Sequence, residues 1–137
     1  MEVLCGRGCS IEAGTSLNNR LRYCKMVVII LEDMFYIYGT VDVRADEKCF
    51  IEVSKFLHCA NAEDVIGCFE LDHADGEIRY RLGADCENEA GAVPTTAMLE
   101  RNIYSPARAF EKYGDALLDV IVGYKTAEEA FEEVHQA

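Results

Sequence analysis

The chain has no tryptophan and only two prolines in 137 residues, and no Pro-rich or Gly/Ser-rich stretch divides it. That excludes a proline-rich or collagen-like chain and points to one domain. Positive charge is scarce. Thirteen Lys and Arg stand against twenty-five Asp and Glu, a net charge of −12. Such a surface repels phosphates and anionic lipid, so neither nucleic acid nor membrane is expected as a partner. Long apolar runs are missing too. The most apolar stretch, Met26–Leu31, stops at Glu32-Asp33, far short of the roughly 20 residues that cross a bilayer. The start, MEVLCGRGCS, lacks the basic and apolar regions of a secretory signal. The expected location is cytoplasmic.

Motif chemistry is equally sparse. There is no P-loop, no dinucleotide fingerprint, no G-x-S-x-G elbow and no H-E-x-x-H. Only three histidines occur, far apart in sequence. His58 has no acidic or histidine partner four residues away, so it is expected as a helix-surface residue.

What is present in quantity is cysteine: Cys5, Cys9, Cys24, Cys49, Cys59, Cys68 and Cys86. Seven is an odd number, and without an export signal the expectation is free thiols in a reducing compartment. Cys49 and Cys59 fall where a helix would bury them as small hydrophobes. Cys5 and Cys9 form a C-x₃-C pair without the second pair that a structural zinc site needs. No metal and no cofactor are expected. The thiol with the most basic flank is Cys24, between Arg22 and Lys25.

Along the chain, residues 1–19 show neither helical nor strand period and read as a loose N-terminal arm, leaving 20–137 as the folded domain. MVVIILEDMFYIYGTVDV reads as two strands around a tight turn at Glu32-Asp33. In the second strand Phe35, Ile37, Val41 and Val43 share one face, and Tyr36, Tyr38, Thr40 and Asp42 the other. Cys49, Phe50, Val53, Phe56, Leu57 and Ala60 then recur at spacings of three and four, the stripe of an amphipathic helix. Asp46 is its expected N-cap, and Asn61 its left-handed stop.

The stretch GCFELDHADGEIRYR packs Glu70, Asp72, His73, Asp75 and Glu77 into Gly67–Arg81. Those are the raw materials of acid–base catalysis. A hairpin explains them better. Asp75-Gly76 is the dipeptide of a two-residue type I′ turn. That turn sets Leu71 opposite Tyr80 and Phe69 opposite Leu82, with Asp72 opposite Arg79 and Glu70 opposite Arg81. Two carboxylates then have arginine partners, a structural task worth roughly 0.2–1 kcal/mol per pair. No catalytic residue is assigned. His73 falls near the turn as a rim residue.

After a polar loop, GADCENEAGAVP, a helical stripe runs through Met98, Leu99, Ile103, Phe110, Tyr113, Leu117, Val120 and Ile121. It is expected to begin at Thr95 or Thr96 and to restart at Ser105-Pro106, an N-cap and N1 pair. Gly123 ends it, and Thr126 to Glu129 form a capping box for a last short helix. The order of hairpin, helix, hairpin, helices gives the fold class. It is α+β: an antiparallel sheet of about four to five strands with helices packed on one face.

The ordered set Asn61, Gly67, Phe69, Glu70, Asp72, Asp75, Gly76, Glu77, Tyr80, Arg81, Gly123, Thr126, Glu128, Glu129 and Ala130 resembles the YbjN family of bacterial proteins, over roughly residues 27–134. The resemblance implies a fold like the type III secretion chaperones and the label of a sensory transduction regulator. It carries no catalytic residues. A helix precedes the first strand in such folds, whereas SIEAGTSLNNRLRY is short and weakly helical.

One face remains. With a two-residue turn at Glu32-Asp33, Ile30 opposes Phe35 and Val28 opposes Ile37 toward the helices. Leu31 with Met34, Ile29 with Tyr36, and Val27 with Tyr38 then fall on the opposite face, far more apolar than a solvated face requires. Ile29, Leu31, Met34, Tyr36 and Tyr38 are therefore the candidate interface, for a protein partner or a symmetric homodimer. The competing reading folds the arm, 1–19, over that face. Functionally the chain is expected to be a non-enzymatic regulatory or binding protein. The alternatives are a chaperone-like holder of a peptide segment, and a small thiol enzyme or metal binder using Cys5, Cys9 or Cys24.

Overall fold

The structure, a computed structural model, describes residues 2–4, 8–31, 33–85 and 95–136, the first three by backbone alone. It is the expected α+β fold, an antiparallel sheet with helices against one face. Strands β1 (Glu2–Leu4), β2 (Gly8–Ser16), β3 (Tyr23–Ile30), β4 (Met34–Arg44), β5 (Cys68–Leu71) and β6 (Glu77–Asp85) form it, in the order β1-β2-β3-β4-β6-β5. Helices α1 (Phe50–Glu63), α3 (Ser105–Ile121) and α4 (Ala127–Gln136) make the second layer, with α2 (Thr96–Asn102) leading into α3.

The sheet has six strands among the described residues, because part of the segment read as a loose arm, 1–19, is sheet. Gly8–Ser16 pairs with β3 along its length, Ile11 opposite Val28 and Ala13 opposite Met26. The pairing satisfies the backbone groups on that edge of β3, which a loose arm would leave to water. The segment also adds a strand beside β3 rather than a layer over its outer face. No boundary falls at residue 20, since β2 and β3 share one ladder.

The core lies between sheet and helices. Cys24, Met26 and Val28 of β3, Phe35 and Ile37 of β4, and Ile78, Tyr80 and Leu82 of β6 meet Val53, Phe56 and Leu57 of α1 and Phe110, Tyr113, Leu117 and Val120 of α3. Helix α3 lies so close that a Cβ at Gly39 would sit 2.1 Å from Cβ of Pro106. The loop between β2 and β3 clamps α3 from outside. Asn18 N–H donates to both oxygens of the Glu111 carboxylate at 2.9 and 3.0 Å, and Arg20 reaches Asp115 at 3.0 Å and Asp119 at 2.9 Å.

The first hairpin follows its expected register, Ile30 opposite Phe35, Val28 opposite Ile37, Ile29 opposite Tyr36 and Val27 opposite Tyr38. The second hairpin does not. Phe69 opposes Tyr80 and Leu71 opposes Ile78, so the loop has four residues, not two. A type I′ turn needs positive φ at both central residues, and here Gly76 alone has it, φ 78°. Asp72 Oδ1 instead accepts from Ala74 N–H at 2.9 Å, and the Asp72 carbonyl accepts from Gly76 N–H at 2.8 Å. The slip is two residues, so every side chain keeps its face. The ion pairs survive as diagonals, Arg81 to Glu70 at 2.7 Å and Arg79 to Asp72 at 3.9 Å.

Asn61 is not a left-handed stop. It lies inside α1, and its amide side chain reads the backbone of β5. Nδ2 donates to the Phe69 carbonyl at 3.0 Å, and Oδ1 accepts from Phe69 N–H at 2.6 Å. The side chain thus stands where a further strand would pair. Asp46 precedes a 3₁₀ turn, Glu47–Cys49, with no capping bond from its side chain. Thr95 caps α2 as expected, accepting from Met98 N–H at 3.1 Å. Tyr104, not Ser105, is the cap position of α3, with proline in its first turn. Gly123 ends the run at φ 76°, and Thr126 Oγ1 accepts from Glu129 N–H at 3.2 Å. Cys59, expected buried, is exposed on α1, one position before the buried Ala60.

Candidate interaction surface

Inward residues of β3, β4 and β6 are buried by α1 and α3, which leaves the outward set to be explained. On β3 and β4 that set is Val27, Ile29, Met34, Tyr36 and Tyr38, with Leu31 beside the turn, and among the described residues the helices pack on the other face. All five candidate residues, Ile29, Leu31, Met34, Tyr36 and Tyr38, are half-buried. Tyr36 and Tyr38 pack edge to face with ring centroids 5.2 Å apart. The structure therefore brings the five together on one surface, as the alternation predicts.

It also adds what the sequence did not show. Strand β6 lies beside β4, with Tyr36 opposite Gly83. The missing side chain at Gly83, together with the end of β5 at Cys68, opens a groove of about 510 Å³. Its lining runs from Met34, Tyr36 and Tyr38 to Ile66, Cys68 and Leu82, with Arg81 at the rim. Beside it the loop 64–67 holds Val65 and Ile66 out to solvent, 97% and 57% exposed. The loop is fixed. Asp64 Oδ1 accepts from the N–H groups of Ile66 and Gly67 at 2.8 and 3.2 Å, and its Oδ2 accepts from the Tyr80 hydroxyl at 2.7 Å. Burial first, then the Asp64 carboxylate, pushes the Tyr80 hydroxyl above the ordinary phenol range, so it stays a neutral donor.

Glu70 and Glu12 on this face have basic partners. Arg81 and Arg79 share Glu70, at 2.7 and 3.8 Å, and Lys25 reaches Glu12 at 3.4 Å. The excess acid stands elsewhere, notably at Glu128, Glu129, Glu132 and Glu133 on α4.

The carboxylates of the second hairpin are engaged in backbone and arginine contacts. Asp75 accepts from Glu77 N–H at 3.0 Å and pairs with Arg44 at 2.7 Å, and these two contacts hold its carboxyl below the usual range. His73 stacks on Phe50, centroids 5.2 Å apart, on the loop rim. Three-dimensional proximity joins residues that the sequence keeps apart: His58 and His73 line a groove of about 200 Å³ beside Asn61. A second cluster ties the helices together. Glu63 accepts from the Tyr113 hydroxyl and from His135 Nε2, the latter at 2.8 Å, with Lys112 at 3.6 Å. The Tyr113 bond, then His135, draws the Glu63 carboxyl below its ordinary range, and burial raises the Tyr113 hydroxyl above its own. Each neutral tyrosine donates to an ionised carboxylate and ties two elements together.

The thiol reading fails at Cys24. Its side chain is fully buried, and burial pushes the thiol up to about 12, far from a reactive thiolate. Cys9, Cys24, Cys49, Cys59 and Cys68 are free thiols, and Cys5 and Cys86 lie outside the described residues. Among the described residues no group of three or more His, Cys, Asp or Glu side chains converges as a metal site. Among them, too, no helix is long and apolar enough to cross a membrane. No family model, curated protein or solved structure matches the chain.

Proposed function

We propose that the chain is a non-enzymatic regulatory protein that works by binding another protein surface through the outer face of its sheet. One observation carries this: the two central strands turn Val27, Ile29, Leu31, Met34, Tyr36 and Tyr38 outward as a continuous apolar block that, among the described residues, no helix covers. An uncovered apolar block of this size on a sheet is the mark of an interface. Tyrosine suits it, because the ring buries area while the hydroxyl stays wet. The YbjN resemblance, with its secretion-chaperone-like fold and its regulatory label, belongs to the same proposal. So does a cytoplasmic location, which the five free thiols support.

The test compares proteins recovered from native cell extract by the tagged wild-type chain and by Ile29→Glu/Tyr36→Lys. The double variant is expected to keep its circular dichroism and lose specific partners. Identical recovery by both folded proteins refutes the reading.

A further inference from the structure

The two edges of the sheet are built differently. At β5 the Asn61 side chain bonds to the N–H and the carbonyl of Phe69, so that edge is closed. At the other edge β1 pairs with Gly8, Cys9 and Ser10, and among the described residues no strand pairs with residues 11–16 of β2 on their far side. The ladder tells which backbone groups are left over. Leu17 N–H donates to the Arg22 carbonyl at 2.7 Å. Antiparallel pairs alternate, so Thr15, Ala13 and Ile11 likewise aim their backbone groups at β3. The next ladder has the same phase: Leu31 N–H donates to the Met34 carbonyl at 2.8 Å, which leaves Cys24, Met26 and Val28 to face β2. Glu12, Gly14 and Ser16 therefore aim N–H and carbonyl away from β3, and all three residues are exposed. Sheet edges are ordinarily shielded by proline, lysine or a bulge. Residues 11–16 contain no proline and no lysine, and their register with β3 runs without a break.

We propose that residues 11–16 of β2 form a strand-addition site for an extended, basic segment of a partner protein. The backbone groups of a strand edge are met by another backbone, so the conformation of the occupant follows from the site. Antiparallel addition sets its residues opposite Glu12, Gly14 and Ser16 in hydrogen-bonded pairs. Those side chains fall on the outer face. The alternate ones fall beside Ile11 and Ala13, which pack against the core but are only half-buried, and so take small apolar residues. Charge decides the outer positions. Glu12 is the one charged residue in 11–16, and its side chain is 63% exposed. Lys25 reaches one of its carboxylate oxygens at 3.4 Å, leaving the other to the added strand. The net charge of −12 steers cations toward the chain. Tyr23 adds a platform. Its hydroxyl lies where a Cβ at Gly14 would stand, and the residue is 54% exposed. A guanidinium opposite Gly14 stacks on that ring. A second copy would bring another Glu12 and lacks this match. The inference is separate from the outer-face reading, because it uses the backbone of β2 and not the side chains of β4.

Amide exchange on the full chain, read by NMR, tests this. In the free protein the amides of Glu12, Gly14 and Ser16 are expected to exchange fast, and those of Ile11, Ala13 and Thr15 slowly. The probe is an end-blocked peptide of alternating arginine and valine, about seven residues long, enough to span the site. Its binding is expected to slow exchange at Glu12, Gly14 and Ser16 at least tenfold. A twin N-methylated at its arginines keeps charge and side chains but cannot donate there. It is expected to bind at least tenfold more weakly. Ser16→Pro removes an outward donor and leaves the ladder to β3 intact. It is expected to weaken the parent peptide by a similar factor, while Ser16→Ala leaves affinity unchanged. The exchange readout uses wild type and stands even if Ser16→Pro fails to fold. No binding at millimolar peptide, equal affinity of the twin, or unchanged exchange at the three amides overturns the inference. Protection of the same amides that grows with protein concentration alone gives the edge to a second copy and overturns the basic segment.

Discussion

Replacing Asn61 separates two roles that an asparagine near a helix end can play. If Asn61 were a left-handed stop, Asn61→Gly would be neutral or mildly stabilising, because glycine takes that conformation freely. In the structure Asn61 is helical and makes two hydrogen bonds to the backbone of Phe69, at 3.0 and 2.6 Å. Each bond contributes about 1 kcal/mol net. Losing the side chain also strands an N–H and a carbonyl on a residue that is only 4% exposed, at a further cost of roughly 1–3 kcal/mol. Alanine regains about 0.5 kcal/mol of helix propensity over asparagine, and glycine loses some. The expected destabilisation is therefore about 2.5–4.5 kcal/mol for Asn61→Ala and about 3.5–5.5 kcal/mol for Asn61→Gly. At roughly 3–4 °C per kcal/mol for a chain of this size, Tm falls by about 8–20 °C. Urea unfolding with linear extrapolation measures the energies, and hydrogen exchange at the Phe69 amide locates them. A Gly variant as stable as wild type, or unchanged exchange at Phe69, refutes the strand-pairing role.

Gly76→Ala is expected to cost well over 2 kcal/mol and Gly123→Ala only about 1 kcal/mol, because both have positive φ but only at Gly76 would the new Cβ sit 2.1 Å from the Ala45 carbonyl oxygen; thermal unfolding of the two variants side by side checks the contrast. Asp72→Asn is expected to cost under about 1 kcal/mol and to leave partner binding intact, since the amide oxygen can still accept from Ala74 N–H and the Arg79 contact is a long 3.9 Å; loss of binding with the fold unchanged would reopen the active-site reading. The His135 imidazolium donates to the Phe131 carbonyl and then to Glu63, which raises its pKa above the ordinary 6.5. Its contribution to stability is full below pH 6.5 and is lost as pH rises through the folded value. Glu63, with a lowered pKa, contributes above its ordinary 4.5 and loses that contribution on acidification. His135→Gln is expected to flatten the alkaline slope and to shrink the acid slope only in part, because the Tyr113 bond to Glu63 remains, read from urea midpoints across pH.

Much of this fold is legible from period alone. The first hairpin keeps its register because a polar pair at Glu32-Asp33 interrupts two strongly apolar strands, and α1 and α3 keep their stripes because large residues mark every turn. Strand β2 escapes such a reading. Its inward positions are Cys9, Ile11, Ala13 and Thr15, and apart from Ile11 they are too small or too polar to announce a strand. The clamp of Asn18 and Arg20 on α3 is invisible locally, because its partners lie 93 to 99 residues away. The four-residue loop at Asp75-Gly76 shows side-chain bonds outvoting a favoured dipeptide. At the candidate interface, alternation alone picks out Ile29, Leu31, Met34, Tyr36 and Tyr38. The groove beside them depends on β6 lying next to β4, a neighbour that chain order does not supply.

The outward side of the sheet is written in two scripts. Strand β6 alternates, with Ile78, Tyr80 and Leu82 buried and Arg79 and Arg81 turned out, as one-sided antiparallel strands do. Strand β3 does not alternate across Met26–Leu31. Six apolar residues in succession are the pattern of a strand covered on both faces. Among the described residues the helices cover the face of Met26 and Val28, and none packs on the face of Val27 and Ile29. Selection for packing inside one copy explains the first set and not the second, since an outward isoleucine gains nothing from water. The change of script falls between β4 and β6, at Tyr36 opposite Gly83 and Tyr38 opposite Arg81. On the proposed binding reading, that boundary is where a partner's layer would begin. It passes through the groove, so the sequence pattern of β3 and the relief around Gly83 identify the same surface from independent directions.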